Sequence, residues 1–167
     1  NVLRDAFAKR DVKMDGVRAK RDAAVIPGAR VQVYTAFVPE IPGVHGGNVV
    51  AAEDVYRDYT RTGENVVILG GGLVGTELSI YLGMMGRKVT LLEMAPTLNF
   101  GHNILHGQAI GLQFPKYGIQ VCTGTKAVEV TDEGVWAERD GEKVFYPADS
   151  VVTALGMKPR MIFINRV

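Results

Sequence analysis

The sequence predicts an α/β fold built on a parallel sheet, and three stretches carry that expectation. Residues 65–69, NVVIL, form an unbroken apolar, β-branched run, as a strand covered on both faces does. A glycine cluster and a helical stretch from Leu73 to Gly83 then lead into a second run, RKVTLLEM, making a strand–helix–strand unit of about thirty residues. Farther on, residues 127–147 alternate around Asp132-Glu133-Gly134 and Asp140-Gly141, the pattern of an antiparallel meander.

The remaining elements follow in chain order. Leu3 and Phe7 fall at helical spacing, whereas DVKMDGVRAKR alternates around Asp15-Gly16 as a hairpin does. AAVIPGARVQVYTAFVPEIPGV holds two strand-like runs broken by Pro27-Gly28 and by Pro39 and Pro42. Residues 38–47 read as an extended, proline-rich connector crossing the surface. Ala51 to Thr60 predicts a short helix, with Glu53 and Asp54 at its positive N-terminal end. A further helix is expected from Ile104 to Phe114, ending near Pro115 and Gly118, before a strand at IQVCT. SVVTALG is apolar again and returns to the parallel sheet.

Composition narrows the function classes. A chain of 167 residues with 47% hydrophobic and 22% charged residues has the make-up of a globular protein with one compact unit. With 19 basic against 18 acidic residues, there is no electrostatic case for a nucleic-acid partner or an acidic membrane surface. The excess of Lys and Arg in residues 1–22 alternates with Asp and reads as a solvated face. No apolar run approaches the roughly 18 residues of a membrane span, so a cytoplasmic location is expected. The single cysteine, Cys122, excludes an internal disulfide and reads as a buried strand thiol. A chain that starts at Asn1 and reaches its first clear βαβ unit only near Asn65 reads as a piece of a longer protein.

The glycines after the first strand carry the chemistry. Gly70, Gly72 and Gly75 match G-x-G-x-x-G, with Gly71 between them, and they join a strand to a helix. Backbone N–H groups at a helix N-terminus supply donors and a positive dipole end to a pyrophosphate, provided that no Cβ blocks the approach. In that reading Gly70 permits the turn, Gly72 admits the pyrophosphate and Gly75 lets the helix lie close to the strand. Glu93 ends the second strand, where a carboxylate accepts from the hydroxyls of an adenosine ribose. An acid there suits the free 2′-hydroxyl of NADH and repels the 2′-phosphate of NADPH. Arg87 and Lys88 precede the strand and read as solvated.

Other candidates carry less. His102 and His106 have ligand spacing on a helix but no third ligand, so surface or capping roles are expected and no metal site. Ser79 and Ser150 lack a nucleophile-elbow setting. Trp136, Phe145 and Tyr146 read as packing residues of the meander.

VVILGGGLVGTELSIYLGMMGRKVTLLEM, followed by YGIQVCTGTKAVEV and SVVTALGMKPR, resembles the pyridine-nucleotide-binding domain of the FAD-dependent pyridine nucleotide-disulphide oxidoreductase superfamily. GGGLVGTE and ALGMKPR look most like the reductase half of NADH:flavin oxidoreductases of the 2,4-dienoyl-CoA and 2-enoate reductase type. The resemblance implies a three-layer, Rossmann-like fold: a parallel sheet with helices on one face and a three-stranded antiparallel meander on the other. It implies that NADH docks here and passes hydride to an FAD held by a flavin domain, either of the same longer chain or of a partner chain. Residues 36–160 would be the dinucleotide-binding domain, residues 1–35 the edge of a flavin domain, and residues 161–167 a tail leading back to it. Glu77 matches the family glutamate near the nicotinamide and flavin rings, with a first-turn helix acid as its alternative reading. Gly156 matches the glycine where the returning strand meets the nicotinamide, and Leu73 and Val74 match residues packing beside the dinucleotide. The family's earlier FAD-binding glycine motif and its later GD motif are absent from this sequence, so FAD is expected in the complete enzyme and not on this chain alone. The alternative is a stand-alone NADH-binding regulatory module without turnover.

Overall fold

A computed structural model describes residues 12–20, 29–36, 40–100 and 104–162, which fall into two compact units. The helical spacing of Leu3 and Phe7 and the first strand-like run, AAVI, lie outside the described residues.

One unit takes residues 1–37 and 157–167. Its antiparallel sheet has the order β12-β3-β1-β2, from β1 (Val12–Met14), β2 (Val17–Arg18), β3 (Val31–Ala36) and β12 (Met157–Ile162). The hairpin expected at Asp15-Gly16 is present: both residues have positive φ, 48° and 82°, and Met14 pairs with Val17 across the two-residue turn. Asp15 Oδ1 also accepts from the Arg30 N–H at 2.8 Å. Val12 and Val33 are the buried centre of this sheet.

The second unit, residues 38–156, has three layers. Its central sheet is parallel, in the order β4-β11-β5-β6-β7: β4 (Val49–Ala51), β5 (Asn65–Leu69), β6 (Lys88–Leu92), β7 (Gln120–Cys122) and β11 (Ser150–Thr153). β8 (Thr125–Thr131), β9 (Gly134–Arg139) and β10 (Glu142–Pro147) form the separate antiparallel meander. The helices are α1 (Ala52–Arg57), α2 (Leu73–Met84) and α3 (Ile104–Lys116).

The period-2 geometry of β5 explains its unbroken apolar run. Val66 and Ile68 pack with Val55, Leu78, Leu82, Ile110 and Phe114 of the helices, whereas Val67 and Leu69 pack with Val130, Val135, Ala137 and Tyr146 of the meander. Fully burying each such side chain contributes about 1.5–3 kcal/mol. A polar residue at any of these positions therefore faces one dry layer or the other. Cys122 lies in the meander-side core, and burial together with the neighbouring Cys122 raises the Tyr146 hydroxyl above its ordinary range.

Both long helices end on a left-handed glycine. Gly86 (φ 82°) donates to Gly83 O and Arg87 to Leu82 O; Gly118 (φ 64°) donates to Pro115 O and Ile119 to Phe114 O. Each pair closes a Schellman motif and satisfies carbonyls that the helix leaves open. Pro115 sits inside the last turn of α3, where its missing donor costs at most one helical bond.

Three expectations are corrected. The chain falls into two compact units and not one, because β12 leaves the three-layer unit to pair with β3. Described residues 40–47 are a run of tight turns and not extended: Val44 donates to Ile41 O, Gly46 to Gly43 O and Val49 to Gly46 O. Pro42 O accepts from Val130 N–H at 2.8 Å, which pins these turns to β8. Arg87 is half-buried over the Tyr59 ring at 5.5 Å, while Lys88 pairs with Glu64 at 2.8 Å on the surface. Among the described residues no helix is long and apolar enough to cross a membrane.

Candidate functional site

The four glycines from the end of β5 to the first turn of α2 do different physical work. Gly70 has φ 108°, a conformation that L side chains rarely adopt, and a Cβ there would lie 2.6 Å from Ala154 O. A Cβ at Gly75 would collide with the Gly70 carbonyl oxygen and touch Ala154 Cβ at 3.4 Å, so α2 crosses the strand end at backbone contact. At Gly71 the added atom would meet Leu98 Cδ2 at 2.5 Å and Glu93 Cβ at 2.8 Å. Gly72 alone of the four has nothing within 4 Å of that position. Three of these glycines make room for the protein itself; the fourth leaves space open to a ligand.

That space lies at the start of α2. Gly72 is the residue before the first helical turn, with extended backbone and no side-chain cap, and the first bond back to it comes from Thr76 N–H at 3.0 Å. Among the described residues, no protein acceptor takes the N–H groups of Gly72, Leu73 or Val74. They form the positive end of a 12-residue helix, and the Leu73 and Val74 side chains beside them are 42% and 45% exposed. An anionic group with two or more oxygens fits this arrangement.

Glu93 follows β6 and is half-buried. Its Oε2 accepts from the Gly71 N–H at 2.6 Å and its Oε1 from the Ala95 N–H at 2.7 Å. The sequence points to an acid at this strand tip but does not show that the protein's own amides engage it. Asn99 N–H donates to Gly71 O at 3.0 Å, bringing residues 95–100 onto the glycine turn. APTLNF has no helical or strand periodicity, so its place beside the loop had no sequence signal beyond its position after Glu93.

Glu77 lies half-exposed on α2, within 3.2 Å of His106 Nε2 on α3. Tyr56 of α1 stacks on Tyr81 with ring centroids 6.1 Å apart, and its hydroxyl lies 3.5 Å from Val74 O. Burial, and then the negative charge of Glu77, push the Tyr56 hydroxyl above its ordinary range. Gly156 lies just past β11, two residues after Ala154, with φ 78° and open space where a Cβ would be. The described residues contain no cluster of three metal-ligating side chains, and His102 lies outside them. Trp136 and Phe145 pack ring to ring at 4.9 Å.

Comparison with known proteins bears on this architecture. The profile of the pyridine nucleotide-disulphide oxidoreductases matches residues 7–166, nearly the whole chain. The chain belongs to that family. The pyridine nucleotide-disulphide oxidoreductases are flavin-dependent enzymes that use NAD(H) and FAD. Among similar members is the cinnamate reductase of Clostridium sporogenes, 30% identical over 155 residues, which cover 87% of this chain and 23% of that protein. The bilirubin reductase of Mediterraneibacter gnavus is 34% identical over 124 residues, 74% of this chain and 19% of that protein. Among solved structures, 2-naphthoyl-CoA reductase in complex with 2-naphthoyl-CoA is similar at a TM-score of 0.70 and 27% identity, over 74% of this chain and 19% of that one. The chain thus spans about a fifth of the length of these family members.

Proposed function

We propose that this chain is the NADH-binding portion of a larger flavin-dependent oxidoreductase of the 2,4-dienoyl-CoA and 2-enoate reductase type. The observation that carries the reading is the row of amides at Gly72, Leu73 and Val74, which no acceptor among the described residues takes, with open space at Gly72 and a carboxylate at the adjacent strand tip. In this reading Gly70 and Gly75 set the backbone geometry, Gly71 lies against Glu93, and the amides from Gly72 to Val74 hold the pyrophosphate. Leu73 and Val74 pack beside the dinucleotide. Glu93 stands at the adenosine ribose, and residues 94–100, MAPTLNF, bring no Lys or Arg to a 2′-phosphate, which suits NADH over NADPH.

Glu77 and Gly156 are assigned to the nicotinamide end. The bound dinucleotide would supply hydride to an FAD on a flavin domain, of which residues 1–35 and 161–167 are read as the edge and the return. Residues 36–160 then have a positioning task, because distance and orientation govern such a transfer. Cinnamate and naphthoyl-CoA, named for two similar proteins, are an unsaturated acid and an acyl thioester, which supports an acceptor of that chemical class chosen elsewhere in the complete enzyme.

Parallel calorimetric titration of this chain with NADH and NADPH tests the binding assignment. NADH is expected to bind at least tenfold tighter, and tighter NADPH binding overturns the role of Glu93. In the full-length protein, NADH binding without flavin reduction would favour a regulatory module instead.

A further inference from the structure

Glu93 was read as a ligand-facing acid, yet both of its oxygens already hold backbone amides, on Gly71 at 2.6 Å and on Ala95 at 2.7 Å. Charge-assisted bonds of this length are among the strong ones. The stem from which they reach is itself fixed. Glu93 N–H donates to Cys122 O at 2.9 Å, Thr125 N–H donates to Glu93 O at 2.8 Å, and Gly124 N–H donates to Ala95 O at 2.8 Å. The other end of the tie is equally constrained. Gly71 O accepts from Asn99 N–H, and the Gly71 α-carbon lies so close to the Glu93 stem and Leu98 that no Cβ fits.

We propose that Glu93 is a positioning residue of the phosphate loop: its carboxylate ties the Gly71 amide to the tip of β6 and so leaves Gly72, Leu73 and Val74 to face the pyrophosphate. The proposal rests on the dinucleotide reading above and adds a second task to the acid. A glycine-rich turn has more conformational freedom than any other sequence, and an untied Gly71 would let the three ligand amides wander. The tie removes that freedom before the ligand arrives, which is how preorganisation raises affinity. A glutamine cannot replace it, since its amide group has one acceptor oxygen and its NH₂ would confront the second N–H.

The two tasks of Glu93 are separated by ADP and 2′-deoxy-ADP, which share the pyrophosphate and differ in the hydroxyl that a ribose-facing acid would bind. Both are titrated calorimetrically into the wild-type chain and E93Q, with melting temperatures measured alongside. A positioning role predicts that E93Q weakens 2′-deoxy-ADP by roughly tenfold, the order of one lost charge-assisted hydrogen bond, and ADP by at least as much. If E93Q weakens ADP but binds 2′-deoxy-ADP as the wild type does, Glu93 acts on the ribose alone and the proposal is overturned. If the wild type binds neither ADP nor NADH, the dinucleotide reading itself fails and takes the proposal with it.

Amide hydrogen exchange in the ligand-free wild type needs no variant. Gly71 N–H should exchange at least tenfold more slowly than the N–H groups of Gly72, Leu73 and Val74. Equal, rapid exchange at all four overturns the tie.

Discussion

Replacing Gly75 with alanine sets two effects of known size against each other. In an unconstrained helix the change is favourable by about 1 kcal/mol, because glycine loses more backbone freedom than alanine on folding. At Gly75 the new methyl would collide with the Gly70 carbonyl oxygen and press on Ala154 Cβ at 3.4 Å. Neither neighbour can give way cheaply. Gly70 N–H is bonded to Leu92 O at 2.9 Å and Ala154 N–H to Leu69 O at 2.9 Å, while Leu78 and Leu82 hold α2 in the core. Forcing a methylene-sized group into a packed site costs about 1–3 kcal/mol, occasionally more, and a clash with fixed backbone belongs at the upper end. The net expectation is a loss of roughly 2 kcal/mol, or about 4–8 °C in melting temperature for a chain of this size. Gly111 on α3 is the control: it is exposed with open space around it, so Gly111→Ala should gain about 0.5–1 kcal/mol. Thermal and urea unfolding of both variants reads the difference. Should Gly75→Ala melt at or above the wild type, the argument that this glycine exists for backbone contact is wrong.

Three further outcomes follow from the same geometry. Leu78→Ala, at a fully buried position between α2 and the sheet, should lower unfolding free energy by about 2–5 kcal/mol in urea titration. Gly118→Ala should cost about 1–2 kcal/mol from its left-handed φ of 64°, with no steric term since nothing lies within 4 Å. Hydrogen bonds from the Asn65 backbone N–H and then its side-chain amide hold the Asp149 carboxyl below its ordinary range. The stability this gives is present above the unfolded carboxylate value near about 4 and is lost as pH falls through the lower folded value. Asp149→Asn should therefore melt below the wild type at pH 7, with the gap closing as the pH falls from about 4 toward 2; a gap that widens in acid contradicts the assignment.

Much of the three-layer unit was legible because its signals are local. The apolar run at residues 65–69, the alternation at 127–147 and Gly118 after α3 each report on their own backbone. The antiparallel sheet of the other unit was legible at its hairpin and at the strand-like run that forms β3, but not as a sheet. β1 and β2 are three and two residues long, and β3 pairs with β12 from the far end of the chain, so neither length nor spacing announces that pairing. Proline content suggested an extended connector at residues 38–47, but Gly43 and Gly46 supply the turns that fold it against β8. At the site, residue types marked Gly70 to Gly75 and Glu93 individually. What the sequence could not show was the bond between them, since hydrogen bonding across 22 residues depends on where two strand ends meet.

The central claim is that the amides at the start of α2 grip a pyrophosphate, and a crystal structure of this chain with NADH tests it most directly. The account predicts phosphate oxygens within hydrogen-bond distance of the Leu73 and Val74 N–H groups, above the bare face of Gly72, with the adenosine ribose beside Glu93. NADH bound elsewhere on the chain, or a crevice left empty at saturating NADH, would contradict it.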